Sequence, residues 1–270
     1  MGLSGQEVHG EYRQVDIFLD LWKNRSPMWQ ENMPVSPSLQ PNASQEEVGR
    51  RLKVFNNITL EYDVEELMRF CHLEVFRDRI REVEAVIEES YRLVDPKAAY
   101  KTVKISEVKG NRLVLEGGSV FESELLAEKF KCTSEIAVYV ATIGPALERR
   151  VTELGPRELS KSFMMDCIGT YALRQVSDII QKDFQPGGGE RLSKFSPGDT
   201  AYWDIRQQKV LFDVLGAEEV QNATGVRLNE SYTMIPRKSV SGVMGDTEEQ
   251  FQECQICKRR CEYRRAAFKG

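Results

Sequence analysis

The chain has 270 residues, a hydrophobic share of 41%, a charged share of 29% and a formal net charge of −5. That is ample length for a buried core in one large domain or two small ones, and the acidic balance excludes a general nucleic-acid binder. No apolar run approaches the roughly 20 residues that span a bilayer, and the N-terminus carries charge from Glu7 onward without an apolar signal core, so a cytoplasmic protein without a membrane partner is expected.

In chain order, residues 1–55 read as an N-terminal extension. An apolar run lies at 17–22, and 24–44 carries four prolines among Ser and Asn, the composition of a linker. Residues 45–55 read as a helix leading into the main domain, 56–246. There, 64–71 and 77–93 read as helices, the second with Ile80, Val83, Val86, Ile87 and Leu93 on one stripe. Residues 98–108 and 112–115 alternate like strands around Lys109-Gly110-Asn111. A helix at 123–130, capped by Ser123, precedes the β-branched strand 135–143. Helices follow at 146–154, 160–184, 204–215 and 218–224, with 160–184 the longest and Met164, Ile168, Ala172, Val176, Ile179 and Ile180 facing inward. Residues 226–235 and 238–244 read as closing strands. Helices and strands do not alternate strictly, which disfavours a doubly wound parallel sheet. The expected fold is α+β: a single main domain with a mainly antiparallel twisted sheet flanked by helices.

The chain has only two histidines, His9 and His72, and neither a Ser-His-Asp set nor a Gly-rich phosphate loop, which argues against hydrolase and kinase chemistry. Six cysteines without an export signal do not make a disulfide framework. Cys71, Cys132 and Cys167 are isolated in apolar or helical contexts and read as core residues. Residues 247–270 form a basic Cys-rich tail, with six Lys/Arg against two Glu from Gln252 onward. Within it, Cys254-x-x-Cys257-x-x-x-Cys261 has a chelate spacing suited to an iron–sulfur cluster or zinc, with a fourth ligand from His72, an isolated Cys or a partner. Lys258, Arg259 and Arg260 would offset the charge of a thiolate centre.

Residues 230–242 run Glu-Ser-Tyr-Thr-Met-Ile-Pro-Arg-Lys-Ser-Val-Ser-Gly and follow a Ser196-Pro197-Gly198 turn. This pair of motifs resembles the reactivation (activation) domain of cobalamin-dependent methionine synthase, whose pattern is Glu-Ser-aromatic-x-Met-x-Pro-x-x-Ser-Val-Ser-Gly. The strand at 136–144 and Asp166-Cys-Ile-Gly169 extend the resemblance, which covers about 60–244. Free-standing relatives also end in a Cys cluster followed by Tyr-Arg, here Cys261-Glu-Tyr-Arg264.

The resemblance implies a module that binds S-adenosylmethionine (SAM) and supports reductive methylation of the Co(II) corrinoid of a partner. That partner is a corrinoid-binding protein or a methionine synthase lacking its own activation domain. The alternative is a non-enzymatic redox or metal-binding partner of a corrinoid protein with a degenerate SAM pocket. The implied ligand residues are Arg191, Lys194, Ser196, Pro197, Gly198, Tyr202, Tyr232, Ser239, Ser241 and Gly242, in a groove between the 191–198 loop and the 232–242 strands. The chain departs from the family at Lys194, where the pattern has the forked cation Arg, and at Asp199, where it has Tyr, with Tyr202 the nearest substitute.

The linker composition makes a prediction. Limited proteolysis should cut within 24–44 and leave a stable core. A core that unfolds when residues 1–50 are removed would contradict a separable extension.

Overall fold

The computed structural model describes residues 51–184, 191–259, 264 and 266–269. The expected extension at 1–50 and the third cysteine of the tail, Cys261, lie outside them.

One sheet organises these residues. Its strands are β1 (Lys53–Phe55), β2 (Lys97–Lys109), β3 (Arg112–Leu115), β4 (Val120–Glu122), β5 (Glu135–Thr142), β6 (Leu192–Phe195) and β9 (Ser239–Asp246). The order is β4-β3-β2-β5-β9-β6, with β1 also on β2, and every strand pairing is antiparallel. The α+β expectation therefore holds. β2 and β5 pair from Lys97↔Thr142 to Lys104↔Glu135. β9 lies between β5 and β6, with Tyr139↔Gly242 on one edge and Phe195↔Val243 on the other.

β5 is buried at every position after Glu135, because helices cover both sheet faces. On one face lie α1 (Val64–Phe70), α2 (Ile80–Leu93), α4 (Ala146–Leu154) and the long α5 (Leu159–Asp183). Leu67, Val83, Ile87, Leu147, Ile168, Ala172 and Val176 pack there with Ala137, Tyr139 and Ala141. On the other lie α3 (Glu124–Lys129), α6 (Gln207–Leu215) and α7 (Ala217–Thr224). Leu126, Trp203, Leu211, Phe212, Leu215 and Val220 meet Ile136, Val138, Val140, Phe195 and Val243. The alternation of β5 side chains across the pleat thus supplies two cores. Local signals start the helices: Asp63 caps α1 by accepting from the Glu66 amide, and Ser123 caps α3 by accepting from that of Leu126. Among the described residues, no helix is long and apolar enough to cross a membrane.

Four expectations are corrected. Part of the 45–55 helix is instead strand β1, whose ladder on β2 and whose Lys53–Asp183 ion pair to the end of α5 outweigh its helical pattern. The 226–235 strand breaks at Asn229, whose Oδ1 accepts from the Ser231 and Thr233 amides. This Asx turn leaves β7 (Arg227–Leu228) and β8 (Met234–Ile235), among the described residues, paired only with each other. The helix expected from 204 starts at Gln207, because Asp204 holds the Arg206 amide and guanidinium in a turn. Cys71 and Cys167 are buried as expected, but Cys132 is exposed in the turn after α3, its thiol toward Glu248.

At Gly242 the backbone of β9 comes close to that of β6. A Cβ there would stand inside van der Waals contact of the Phe195 carbonyl oxygen on β6, so only glycine lets the strands close at this point. Gly242→Ala should destabilise the fold by about 1–3 kcal/mol. An unchanged midpoint in urea unfolding would show that β6 yields freely.

Candidate functional site

The end of β6 opens onto a cavity of about 570 Å³. Its walls come from α5, β6, β9 and the segment after β9. α5 contributes Thr170, Leu173, Arg174, Ser177, Asp178 and Gln181, and the sheet contributes Tyr139, Leu192, Lys194 and Val240. Ser196 and Asp199 enter from the turn after β6, and Gln250–Cys254 closes the remaining side.

Two anchors hold that last segment in place. The Phe251 ring stacks on Phe195 with centroids 5.5 Å apart, and a parallel backbone bridge joins Lys194 to Gln252. The Phe251 amide also donates to Ser193 Oγ at 2.8 Å. Beyond this point the chain turns through a short 3-10 helix, Glu253–Gln255.

The charges in the cavity alternate. Lys194 Nζ, on β6, reaches Asp178 Oδ1 at 3.4 Å and donates to Ser177 Oγ at 3.1 Å. Arg174, one helical turn before Asp178, contacts its other oxygen at 3.8 Å. A row of cation, carboxylate and cation suits a zwitterion, whose carboxylate would meet Lys194 and Arg174 while its ammonium meets Asp178.

Glu253 forms the opposite end. Its Oε2 accepts the Ser196 amide hydrogen at 3.2 Å. Its Oε1 is buried and reached by no donor among the described residues. Burial, and then the charge of Asp199 beside it, push the Glu253 carboxyl up to about 9. A carboxylate beside another is disfavoured in its charged form, and burial adds to that cost.

The residues implied by the resemblance are distributed unevenly. Lys194 and Ser196 line the cavity. Arg191 is exposed before β6, with its carbonyl accepting from the Thr247 amide. Pro197 is buried, and Gly198 turns the chain at φ 88° while its amide donates to the Trp203 carbonyl at 2.9 Å. Tyr202, 47% exposed, and Tyr232, at φ 59° in the β7–β8 hairpin, do not line the cavity. Ser239 Oγ donates to the Pro236 carbonyl and lies 2.9 Å from Thr142 Oγ1, and Ser241 donates to Gln208 Oε1 of α6. Both hydroxyls are thus committed within the fold, and Gly242 serves strand closure.

Sequence reasoning missed Arg174, Ser177, Asp178 and Gln181. Their signal was present, since they form a polar face of α5 beside its apolar stripe. It also missed Gln250–Cys254 as a wall. In the tail, the Arg264 guanidinium donates to the carbonyls of Cys254, Cys257 and Arg259 at 2.5, 2.8 and 2.6 Å. Cys254 and Cys257 are half-buried, and Cys254 borders the cavity. Among the described residues, no group of three or more His, Cys, Asp or Glu is arranged to hold a metal ion.

Residues 175–265 match the family model described as the vitamin B12-dependent methionine synthase activation domain. This stretch is similar to that activation-domain family. The stretch includes every cavity residue from Ser177 to Cys254. Among solved structures, the crystal structure of the MetH reactivation domain bound to AdoHcy is similar at a TM-score of 0.53 and 12% identity, covering 74% of this chain and 80% of that one. That likeness extends the activation-domain fold over most of the described residues. No curated protein matches the chain.

The raised Glu253 carboxyl makes stability depend on pH. The folded state keeps a proton up to about 9, whereas the unfolded carboxyl releases it near 4.5. The folded state thus binds the extra proton between those values, and stability falls as pH rises through that window. Thermal melts should drop from about pH 5.5 to about pH 8, and Glu253→Gln should flatten that slope. A variant with the wild-type slope would assign the dependence to other groups.

Proposed function

We propose that this chain is a SAM-binding reactivation module for a corrinoid-dependent methyltransferase of the methionine synthase type. The observation that carries the reading is that the region matching the activation-domain family also supplies most of a cavity with zwitterion-matched charges. The solved domain it resembles in fold is bound to AdoHcy, the demethylated form of SAM. The partner's corrinoid supplies the nucleophile and receives the methyl group after reduction of Co(II). The chain's own task is positioning. Lys194 and Arg174 hold the ligand carboxylate, Asp178 its ammonium, and α5 fixes their spacing. The alternating charges favour this over a degenerate pocket, since Lys194 supplies the cation expected of the family's Arg.

Lys194→Ala should weaken SAM binding in calorimetry by about 1–3 kcal/mol, the range for a lost charge-assisted contact. Unchanged affinity would remove Lys194 from the site.

The domain division at 55 and 246 belongs to the same proposal, as does a metal centre on Cys254, Cys257 and Cys261, either iron–sulfur or zinc. Its support is the chelate spacing and the clasp of Arg264 on the intervening loop. Protein purified without air should hold iron or about one zinc per chain, lost on replacing any one of these cysteines. Neither metal, with three titratable tail thiols, would leave a basic docking peptide.

A further inference from the structure

We propose that Cys71 and Cys167 are a redox-active pair, which a disulfide oxidant converts into an intramolecular disulfide that ties α1 to α5. The two residues lie far apart in sequence and both are buried. Cys71 closes α1, its amide donating to the Leu67 carbonyl at 2.9 Å, and Cys167 lies in the first half of α5. Their thiols are hydrogen-bonded to each other, which is the approach that an S–S bond needs. Neither lines the cavity, and the chemistry of the pair does not depend on what the cavity binds.

Two features make the pair more than core packing. The first is a cation. Lys238 Nζ donates to the Asp166 carbonyl at 2.9 Å and to Thr170 Oγ1 at 2.8 Å, on the stretch of α5 that holds Cys167. Its charge favours a thiolate at the pair. The Cys167 thiol and burial act the other way and hold Cys71 above the ordinary thiol range. Cys71 therefore waits as a thiol in the folded state, and exchange there is slow. The second feature is the shortness of α1, seven residues. Release of that one helix exposes Cys71 without breaking a strand pairing, and the thiolate forms once water reaches it.

The exchange takes two displacements. The exposed Cys71 thiolate attacks one sulfur of an oxidant RSSR, forming a mixed disulfide and expelling one RS⁻. As α1 returns, the Cys167 sulfur attacks the mixed disulfide at Cys71, forming the S–S bond and expelling the second RS⁻. Two protons pass from the protein thiols to give two RSH, and two electrons go to the oxidant. The bond falls close to a cavity side chain. Phe70, next to Cys71, meets the Tyr171 ring edge-on with centroids 5.3 Å apart, and the Arg174 guanidinium stands 5.7 Å from the Phe70 ring centroid. A tie at Cys71 thus restrains a neighbour of Arg174.

The test equilibrates the full chain, without air, in mixtures of reduced and oxidised glutathione, with urea below the unfolding transition to speed the release of α1. Remaining thiols are then blocked and the protein is cut with trypsin without reduction. Residues 70–77 and 162–174 form separate tryptic peptides with one cysteine each. They should appear as one linked species in oxidising mixtures and separate again in excess reduced glutathione. In fully unfolding urea Cys71 should spread over several of the chain's other cysteines, which marks the native link as a product of the fold. Cys167→Ser should stop the reaction at the mixed disulfide and leave glutathione on Cys71. Both peptides recovered with blocked thiols from the most oxidising mixture would overturn the inference. So would a native link from Cys71 to any other cysteine. Should Cys167→Ser fail to fold, the wild-type peptide map decides alone.

Discussion

The pairing of β9 on both edges is the constraint from which the rest follows. β9 bonds to β5 along one side and to β6 along the other, so a shift of one residue would turn its buried side chains to the wrong core on both faces. Gly242 lets β6 approach as closely as it does. The position of β6 in turn sets where Lys194 meets Asp178 and where Ser196 presents its amide. A contact inside the sheet therefore determines the geometry of a cavity at its edge.

The same strand divides labour along its length. Ser241 points to α6 and bonds Gln208, while Val240, one residue earlier, lines the cavity beneath α5. The small residues of this strand thus serve packing more than ligand contact. The charges that line the cavity sit instead on the partners of β9: the face of α5 and the end of β6.

Elements dictated by local chemistry were legible in the sequence. The stripe of α2, the Ser123 cap and the β-branched run of β5 each carry their own signal over a few residues, and the structure keeps all three. Errors arose where a short-range cue competed with another. Val226 to Ile235 alternates like one strand, yet the Asn229 side chain offers the backbone closer partners than a sheet ladder does. Lys194 was found because a motif surrounds it. Arg174 and Asp178 were overlooked because the apolar stripe of α5 drew the reading to the opposite face. Gln252 had no local signal at all, since its place depends on a parallel bridge to Lys194 that links distant parts of the chain. Glu253 looks like an ordinary tail residue until burial and Asp199 are seen around it.

The clasp of Arg264 has a consequence for what should be regarded as a unit. One guanidinium holds three carbonyls of the loop from Cys254 to Arg259, and that loop begins where the cavity wall ends. A fragment trimmed at Asp246, after the last strand of the sheet, would keep every strand and every helix of more than one turn. It would nonetheless lose Phe251, Gln252 and Glu253, and with them one side of the cavity. For this protein the sheet is complete before the cavity is.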